Sequence, residues 1–282
     1  MKQRIITGSI MIAIMIPVLW FSYTPVFAAV ATLLALVATC EMLHCVGTNK
    51  KAGAAIPSYV FTLVVCAAAK YFMPRRDYFA WSYIGIVFFF FVCLAVYSIF
   101  SKGKFNVDEL FASFGAVFYV GSAFGALILL RESYLGQYLY LLAILIPIIS
   151  DTFAYFTGVF FGKHKLIPDV SPKKTVEGSV GGIVFSGIGC IVYAVVLLRM
   201  NGFGMTLWQY AAVFVAGCLI AMLSQVGDLL ASLIKRRFGI KDYGHIFPGH
   251  GGVMDRLDSI LITSPLILVF SFLLQYISVH KL

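Results

Sequence analysis

Two acids stand inside runs that are otherwise apolar. Asp151 lies in Pro147-Ile148-Ile149-Ser150-Asp151-Thr152-Phe153-Ala154-Tyr155, and Asp228 in Ser224-Gln225-Val226-Gly227-Asp228. A carboxylate in hydrocarbon is costly, so such a residue marks a polar cavity or a partner across the helix. Helical spacing puts Asp151 on one face with Tyr155, Gly158 and Gly162, and Asp228 with Ser224 and Ser232, with Lys235 further along the same side. The competing reading for either acid is a hydrogen bond that serves helix packing, or a pairing with a loop cation.

A third group follows at Gly239 to Ser259. Pro248-Gly249-His250-Gly251-Gly252 is a turn with little side chain, of the kind whose backbone approaches phosphate closely. Asp255 and Asp258 are three apart and share a face if a helix begins there. Paired carboxylates beside such a turn suit Mg²⁺, which takes carboxylate oxygen, water and substrate phosphate. The bland alternative is a helix start whose acids favour its own dipole.

The fourth group is Pro168-Asp169-Val170-Ser171-Pro172-Lys173-Lys174-Thr175-Val176-Glu177-Gly178-Ser179. Ser171 as N-cap with Pro172 at the first helical position predicts a helix start here. Lys173 and Lys174 are placed to hold a phosphate, although adjacent lysines are also ordinary topology signals. Together, intramembrane acids, a glycine turn, an acidic pair and clustered cations suit metal-assisted transfer of a phosphate-linked group between a lipid and a nucleotide.

The elements that must position these residues are set by composition. Of 282 residues, 61% are hydrophobic and 12% charged, about half the charge of an ordinary soluble domain. A soluble chain of this length needs more polar surface. Long continuous apolar runs exclude a transmembrane barrel, whose strands alternate. The sequence therefore predicts an all-α, polytopic integral membrane protein with about nine transmembrane helices, at about 5–21, 26–46, 56–73, 78–100, 107–130, 135–161, 180–198, 207–234 and 257–279. Residues 1–130 read as a transmembrane scaffold and subunit-contact region. Residues 131–282 read as the catalytic transmembrane region, with polar loops at 162–179 and 235–256. Glu41 and His44, late in the second run, fit either a cavity lining or an interface.

With the N-terminus in the cytoplasm, 15 of the 21 Lys and Arg fall on the inner side, leaving Lys70, Arg75, Arg76, Arg131, Arg199 and Lys281 outside. That asymmetry supports the orientation and puts both polar loops on the nucleotide side. The net charge of +9 sits in short loops between apolar runs, a pattern of anionic-lipid contact and not of nucleic-acid binding. The six cysteines lie in or beside apolar stretches without metal-type spacing and read as free thiols. The first run lacks a small-residue cleavage site and reads as a retained helix.

These residues resemble a known family. Ser232-Leu233-Ile234-Lys235-Arg236, Lys241-Asp242, Pro248-Gly249-His250-Gly251-Gly252 and Asp255-Arg256-Leu257-Asp258 are together similar to the signature of the phosphatidate cytidylyltransferases, also called CDP-diacylglycerol synthases. Ser171-Pro172-Lys173-Lys174-Thr175 with Glu177-Gly178, and Asp151-Thr152 through Tyr155 to Gly162, are similar to further segments of that family. The resemblance covers the C-terminal half. It implies Mg²⁺, CTP or dCTP as nucleotide, phosphatidate as acceptor and a homodimer; the chemistry calls for one or two such ions, and compact size without a targeting arm favours a bacterial cytoplasmic (inner) membrane. On this reading Asp228, Asp255 and Asp258, with Asp151, hold metal. Lys173, Lys174, Lys235, Arg236, Lys241 and Arg256 hold phosphates, His250 either donates to one or shapes the turn, and Ser171, Gly251 and Gly252 line the substrate. Two alternatives stay open: a CTP-dependent lipid kinase, and a transporter that uses its intramembrane acids as an ion relay.

Overall fold

A computed structural model describes the backbone of residues 2–71, 76–133, 135–200 and 204–280, with side chains placed outside 2–5, 76–80, 137 and 274–280. Arg75 and Lys281, counted above as outer-side charges, lie outside the described residues, as do the side chains of Lys2, Arg4 and Arg76. The described chain forms nine helices and one hairpin: α1 (Lys2–Trp20), α2 (Pro25–Val46), α3 (Ala52–Tyr71), α4 (Arg76–Phe100), α5 (Val107–Glu132), α6 (Gly136–Phe161), β1 (Lys165–Ile167), β2 (Ser171–Thr175), α7 (Val176–Met200), α8 (Leu207–Arg237) and α9 (Met254–His280). Eight of them are long and apolar enough to cross a membrane, and α1 contributes a shorter apolar stretch, Ile6–Trp20. The protein is an all-α, multi-pass integral membrane protein.

Local chemistry sets the ends of these helices. Thr24 caps α2 through Val26 N, with Pro25 opening the helix, and Gly47 closes it at a φ of 82°, where a side chain would be strained. Asn106 and Glu109 form a reciprocal capping box on α5, satisfying two otherwise orphaned N–H groups.

Packing divides the chain into two compact units, Met1–Gln137 with Arg237–Leu257, and Tyr138–Arg236 with Asp258–Leu282. This differs from the division read at residue 130. The second polar loop, expected to belong with the C-terminal region, packs with the N-terminal helices. The physical reason is a set of contacts to α1 and α2, given below.

In the first unit, α5 packs against α2 and α3. Ala35, Ala38, Leu43, Ala54, Ala69, Val117 and Leu130 are fully buried. Small residues let these helices approach closely, as expected where lipid removes any hydrophobic drive. Hydroxyls cross-link the interior: Thr39 to Thr62 at 2.9 Å and Thr48 to Ser113 at 3.0 Å. Two ion pairs bracket α3 and α5. Lys51 meets Glu109 and Lys70 meets Glu132, each at 2.6 Å. The two helices therefore run parallel. At helical rise the pairs lie about 28 Å apart along α3 and about 35 Å along α5, close to the roughly 30 Å of a hydrocarbon core. Arg131 Nε donates to the buried Ser22 Oγ at 3.1 Å, near the Lys70–Glu132 pair in sequence.

In the second unit, α6 and α7 are joined by the hairpin, β1 pairing antiparallel with β2 in the register Lys165↔Thr175 and Ile167↔Ser171. The helix start expected at Ser171-Pro172 is a strand instead. The capping signal that operates lies four residues later: Thr175 Oγ1 accepts Gly178 N at 3.1 Å, and α7 begins at Val176. Glu177 reinforces the join. Its carboxylate accepts from Lys163 N at 3.1 Å and pairs with His164 Nδ1 at 2.7 Å. With Ser171–Thr175 used in ladder hydrogen bonds, the Ser-Pro pair is not available as a cap.

Candidate active site

The second unit holds a cleft of about 430 Å³. One wall is α6, through the face of Asp151, Tyr155 and Gly158; the others are the hairpin with Lys173 and Lys174, and α8 with Gln225 and Asp228. The helical spacing read from the sequence accounts for the α6 wall. Close backbone approach shapes the cleft beside it. A Cβ on Gly178 would stand 2.7 Å from Ala154 O and 3.2 Å from Gly158 Cα, so α6 and α7 cross where neither carries a side chain.

Within the cleft Lys174 Nζ forms an ion pair with Asp228 Oδ2. Both side chains are about one quarter exposed, so the pair is half-buried and screened less than a surface pair. Asp258, in the second turn of α9, lies within electrostatic reach of Asp228, Asp151 and Lys235. Three acids and two lysines from four stretches of sequence are thus gathered in one unit. Like charges held together resist ionising together unless a cation joins them. Among the described residues, no three His, Cys, Asp or Glu side chains stand together as a ready metal cage. Lys173 is exposed on the cleft wall, Ser171 is half-buried on β2, and Arg236 is exposed at the end of α8.

Gln225 is the polar floor of this cleft. Its Nε2 donates to Ser150 Oγ and to Ser179 O, each at 3.1 Å, and Ser179 Oγ donates to its Oε1. One buried amide thereby ties α6, α7 and α8 together one turn from Asp228. Sequence reading missed it; a fully amphoteric side chain in an apolar run is the signal that marks it.

The remaining expected residues lie in the first unit. The turn at Pro248–Gly252 folds onto itself: Phe247 N donates to Gly251 O at 2.9 Å and His250 N to Phe247 O at 2.8 Å. Gly249 and Gly251 sit at φ of 77° and 84°, where only glycine is unstrained. Thr7 Oγ1 donates to Pro248 O at 3.1 Å, and Gly8 lies opposite the His250 ring, so α1 holds the turn. His250 Nδ1 is buried without a hydrogen-bond partner. Asp255 Oδ2 accepts Tyr243 N at 2.8 Å and Gly252 N at 3.0 Å. Glu41 accepts Val253 N at 3.0 Å and Met254 N at 2.8 Å. The turn was expected to aim its N–H groups at phosphate; those of His250 and Gly252 are instead taken by the protein's own acceptors. Lys241 and Arg256 are exposed. His44, open in the sequence, meets Asn49 at 3.1 Å beyond the end of α2.

A family model described as the cytidylyltransferase family matches residues 2–274. A phosphatidate cytidylyltransferase of Staphylococcus haemolyticus is 32% identical over 267 residues, spanning 95% of this chain and 97% of its own. Proteins of the same name from Staphylococcus epidermidis, 34% identical over 271 residues, and Staphylococcus aureus, 32% over 273, also span 95% of this chain and 97% of their own. The similarity runs through both units, including the N-terminal helices where the motif resemblance was silent. This chain belongs to the cytidylyltransferase family.

Proposed function

We propose that the chain is a phosphatidate cytidylyltransferase, which joins CTP or dCTP to phosphatidate and yields CDP-diacylglycerol and pyrophosphate. The observation that carries this reading is the cleft of the second unit, where Lys174 pairs with Asp228 and Asp258 lies within electrostatic reach of Asp228 and Asp151, in a chain of this family.

The reaction is an attack of a phosphatidate phosphate oxygen on the α-phosphorus of the nucleotide. An O–P bond forms, the bond from that phosphorus to the bridging oxygen breaks, and pyrophosphate leaves with the electron pair. The nucleophile is already an anion, so no general base is required. The barrier is the approach of two polyanions, which positioning and fixed positive charge must lower. Lys173 and Lys174, on the cleft wall, are assigned to the phosphates, with Lys235, Arg236, Lys241 and Arg256 as further phosphate contacts and His250 as a donor. Ser171, Gly251 and Gly252 are assigned to substrate contact.

The donor set fits Mg²⁺. Asp151, Asp228 and Asp258 offer hard carboxylate oxygen, the donor type that Mg²⁺ takes alongside water and substrate phosphate. Asp255, which anchors its own loop, is assigned to metal as well. The bound ion, or a pair of them, supplies positive charge to the attacking and leaving oxygens. Lys174 holds Asp228 through their ion pair, which orients that carboxylate.

The N-terminus is assigned to the cytoplasm and the protein, a homodimer in this reading, to a bacterial inner membrane. The ion pair with Glu132 supports the orientation, because it neutralises Lys70, one of the few cations left on the outer side.

The test is an assay of purified protein with labelled CTP, phosphatidate and Mg²⁺. Formation of CDP-diacylglycerol with stoichiometric pyrophosphate is expected. Release of CDP instead would identify a lipid kinase, and no turnover of CTP would remove the reading.

A further inference from the structure

A carboxylate buried in an apolar helix needs a reason. Glu41 is 6% exposed, late in α2, and the sequence alone left it open between a cavity lining and an interface. Its partners are backbone N–H groups at the start of α9. Val253 occupies the N-cap position of that helix and carries no capping side chain, so the first turn of α9 leaves orphaned donors that its own sequence does not satisfy. Glu41 supplies the cap from 212 residues away, accepting Val253 N and Met254 N with one oxygen each. The favourable end of the helix dipole adds to those bonds.

The loop is also shaped around this carboxylate. A Cβ on Gly244 or on Gly252 would stand 2.3 Å from Glu41 Oε1, so both glycines exist where Glu41 leaves no space. Asp255 lies within electrostatic reach of Glu41 and collects Tyr243 N and Gly252 N. Two acids therefore gather four backbone donors, from both ends of the segment that carries His250.

We propose that Glu41 is a positioning residue: a clasp from the N-terminal helices that sets the conformation of the loop carrying Lys241, His250, Asp255 and Arg256. It touches no substrate. It acts through the backbone of that loop, and the proposal rests on the assignment of these loop residues to nucleotide phosphates.

The full-length protein is compared with Glu41→Gln, Glu41→Ala, Gly252→Ala and the double variant Glu41→Ala/Gly252→Ala. Two readouts are taken: amide hydrogen exchange in peptides covering 240–256, and kcat and KM for CTP per folded molecule. Glu41→Gln replaces one acceptor by a donor facing an N–H. Exchange at 250–256 is expected to rise, and KM for CTP to rise roughly 10-fold or more, since small misplacements of binding groups cost up to about 100-fold. Partial unfolding alone lowers the active fraction and leaves KM unchanged; that result, or unchanged exchange, overturns the proposal. Gly252→Ala is expected to be severe alone and to add little to Glu41→Ala, because removal of the carboxylate opens the space the methyl needs. Equal cost of Gly252→Ala in both backgrounds also overturns it. If wild type forms no CDP-diacylglycerol, the functional assignment fails, and the exchange arm still decides whether the clasp holds the loop.

Discussion

The two units treat polar groups in opposite ways. In the first, polar side chains inside the helices are paired with one another: Thr39 with Thr62, Thr48 with Ser113, Lys51 with Glu109, Lys70 with Glu132. In the second, Asp151, Lys173, Lys174 and Asp228 face an open cleft. The apolar surface differs in the same sense. Of the most apolar stretch of α5, 72% is buried, against 22% for α7. One unit satisfies its polar groups internally, which stabilises a fixed packing. The other places acids and lysines together around an open cleft, where the proposed reaction is assigned. Stability and reactivity are thus assigned to different stretches of the chain, with one exception: the loop that carries the glycine turn is held by the paired, fixed unit.

The sharpest way to break this contrast is to remove charge from the cleft. Asp228→Asn and Asp258→Asn keep side-chain volume and remove an anion from a group of three. Activity is expected to fall by about 1,000-fold or more, the scale of losing an electrostatic contribution at a reacting centre. Folding should be retained or slightly improved in Asp258→Asn, which relieves repulsion from Asp228 and Asp151, whereas Asp228→Asn also strands Lys174 and should melt below it. Pyrophosphate release and thermal melting in detergent check the two halves of this outcome. Full activity in both variants would remove the cleft from the chemistry.

A smaller effect is expected at the α6–α7 crossing. Gly178→Ala places a methyl 2.7 Å from Ala154 O and 2.8 Å from Thr175 Oγ1, against backbone on one side and the α7 cap on the other. Overpacking of this kind costs about 1–3 kcal/mol. The melting temperature should fall, and activity should fall with it, because the same crossing forms a wall of the cleft. Loss of stability with no change in activity per folded molecule would show that the cleft tolerates a wider crossing.

Much of this arrangement was legible from residue types. The long apolar runs gave the helices, since membrane spans need only length and hydropathy. Asp151 and Asp228 stood out because carboxylates are rare in such runs. Glu41 stood out by the same rule but stayed open between a cavity lining and an interface, because its partners lie more than 200 positions away. What was not legible depended on competition. Ser171-Pro172 and Thr175 both carry helix-start chemistry, and strand pairing with Lys165–Ile167 decided between them. The glycine turn reads as a phosphate cradle because sequence cannot show that Phe247 O and Asp255 take the N–H groups of His250 and Gly252. The assignment of the loop to the N-terminal unit was hidden for the same reason as Glu41: long-range contacts leave no local pattern.

The smallest expected effect tests the fixed half. Glu132→Gln with Lys70→Gln removes both charges of the ion pair at one end of α3 and α5, and leaves neither partner stranded. Both side chains are partly exposed, at 27% and 16%, so solvent already weakens their attraction, and a pair of this kind contributes about 0–1 kcal/mol. The double variant should melt within a few degrees of wild type and turn over CTP at the wild-type rate, because the pair holds a helix register and touches no phosphate. The single variants are the informative controls. Lys70→Gln leaves Glu132 without its cation near the apolar slab, so it should melt below the double variant. If instead the double variant lost activity while remaining folded, the fixed unit would have to transmit the state of its far end to the chemistry, and the separation of stability from reactivity would fail.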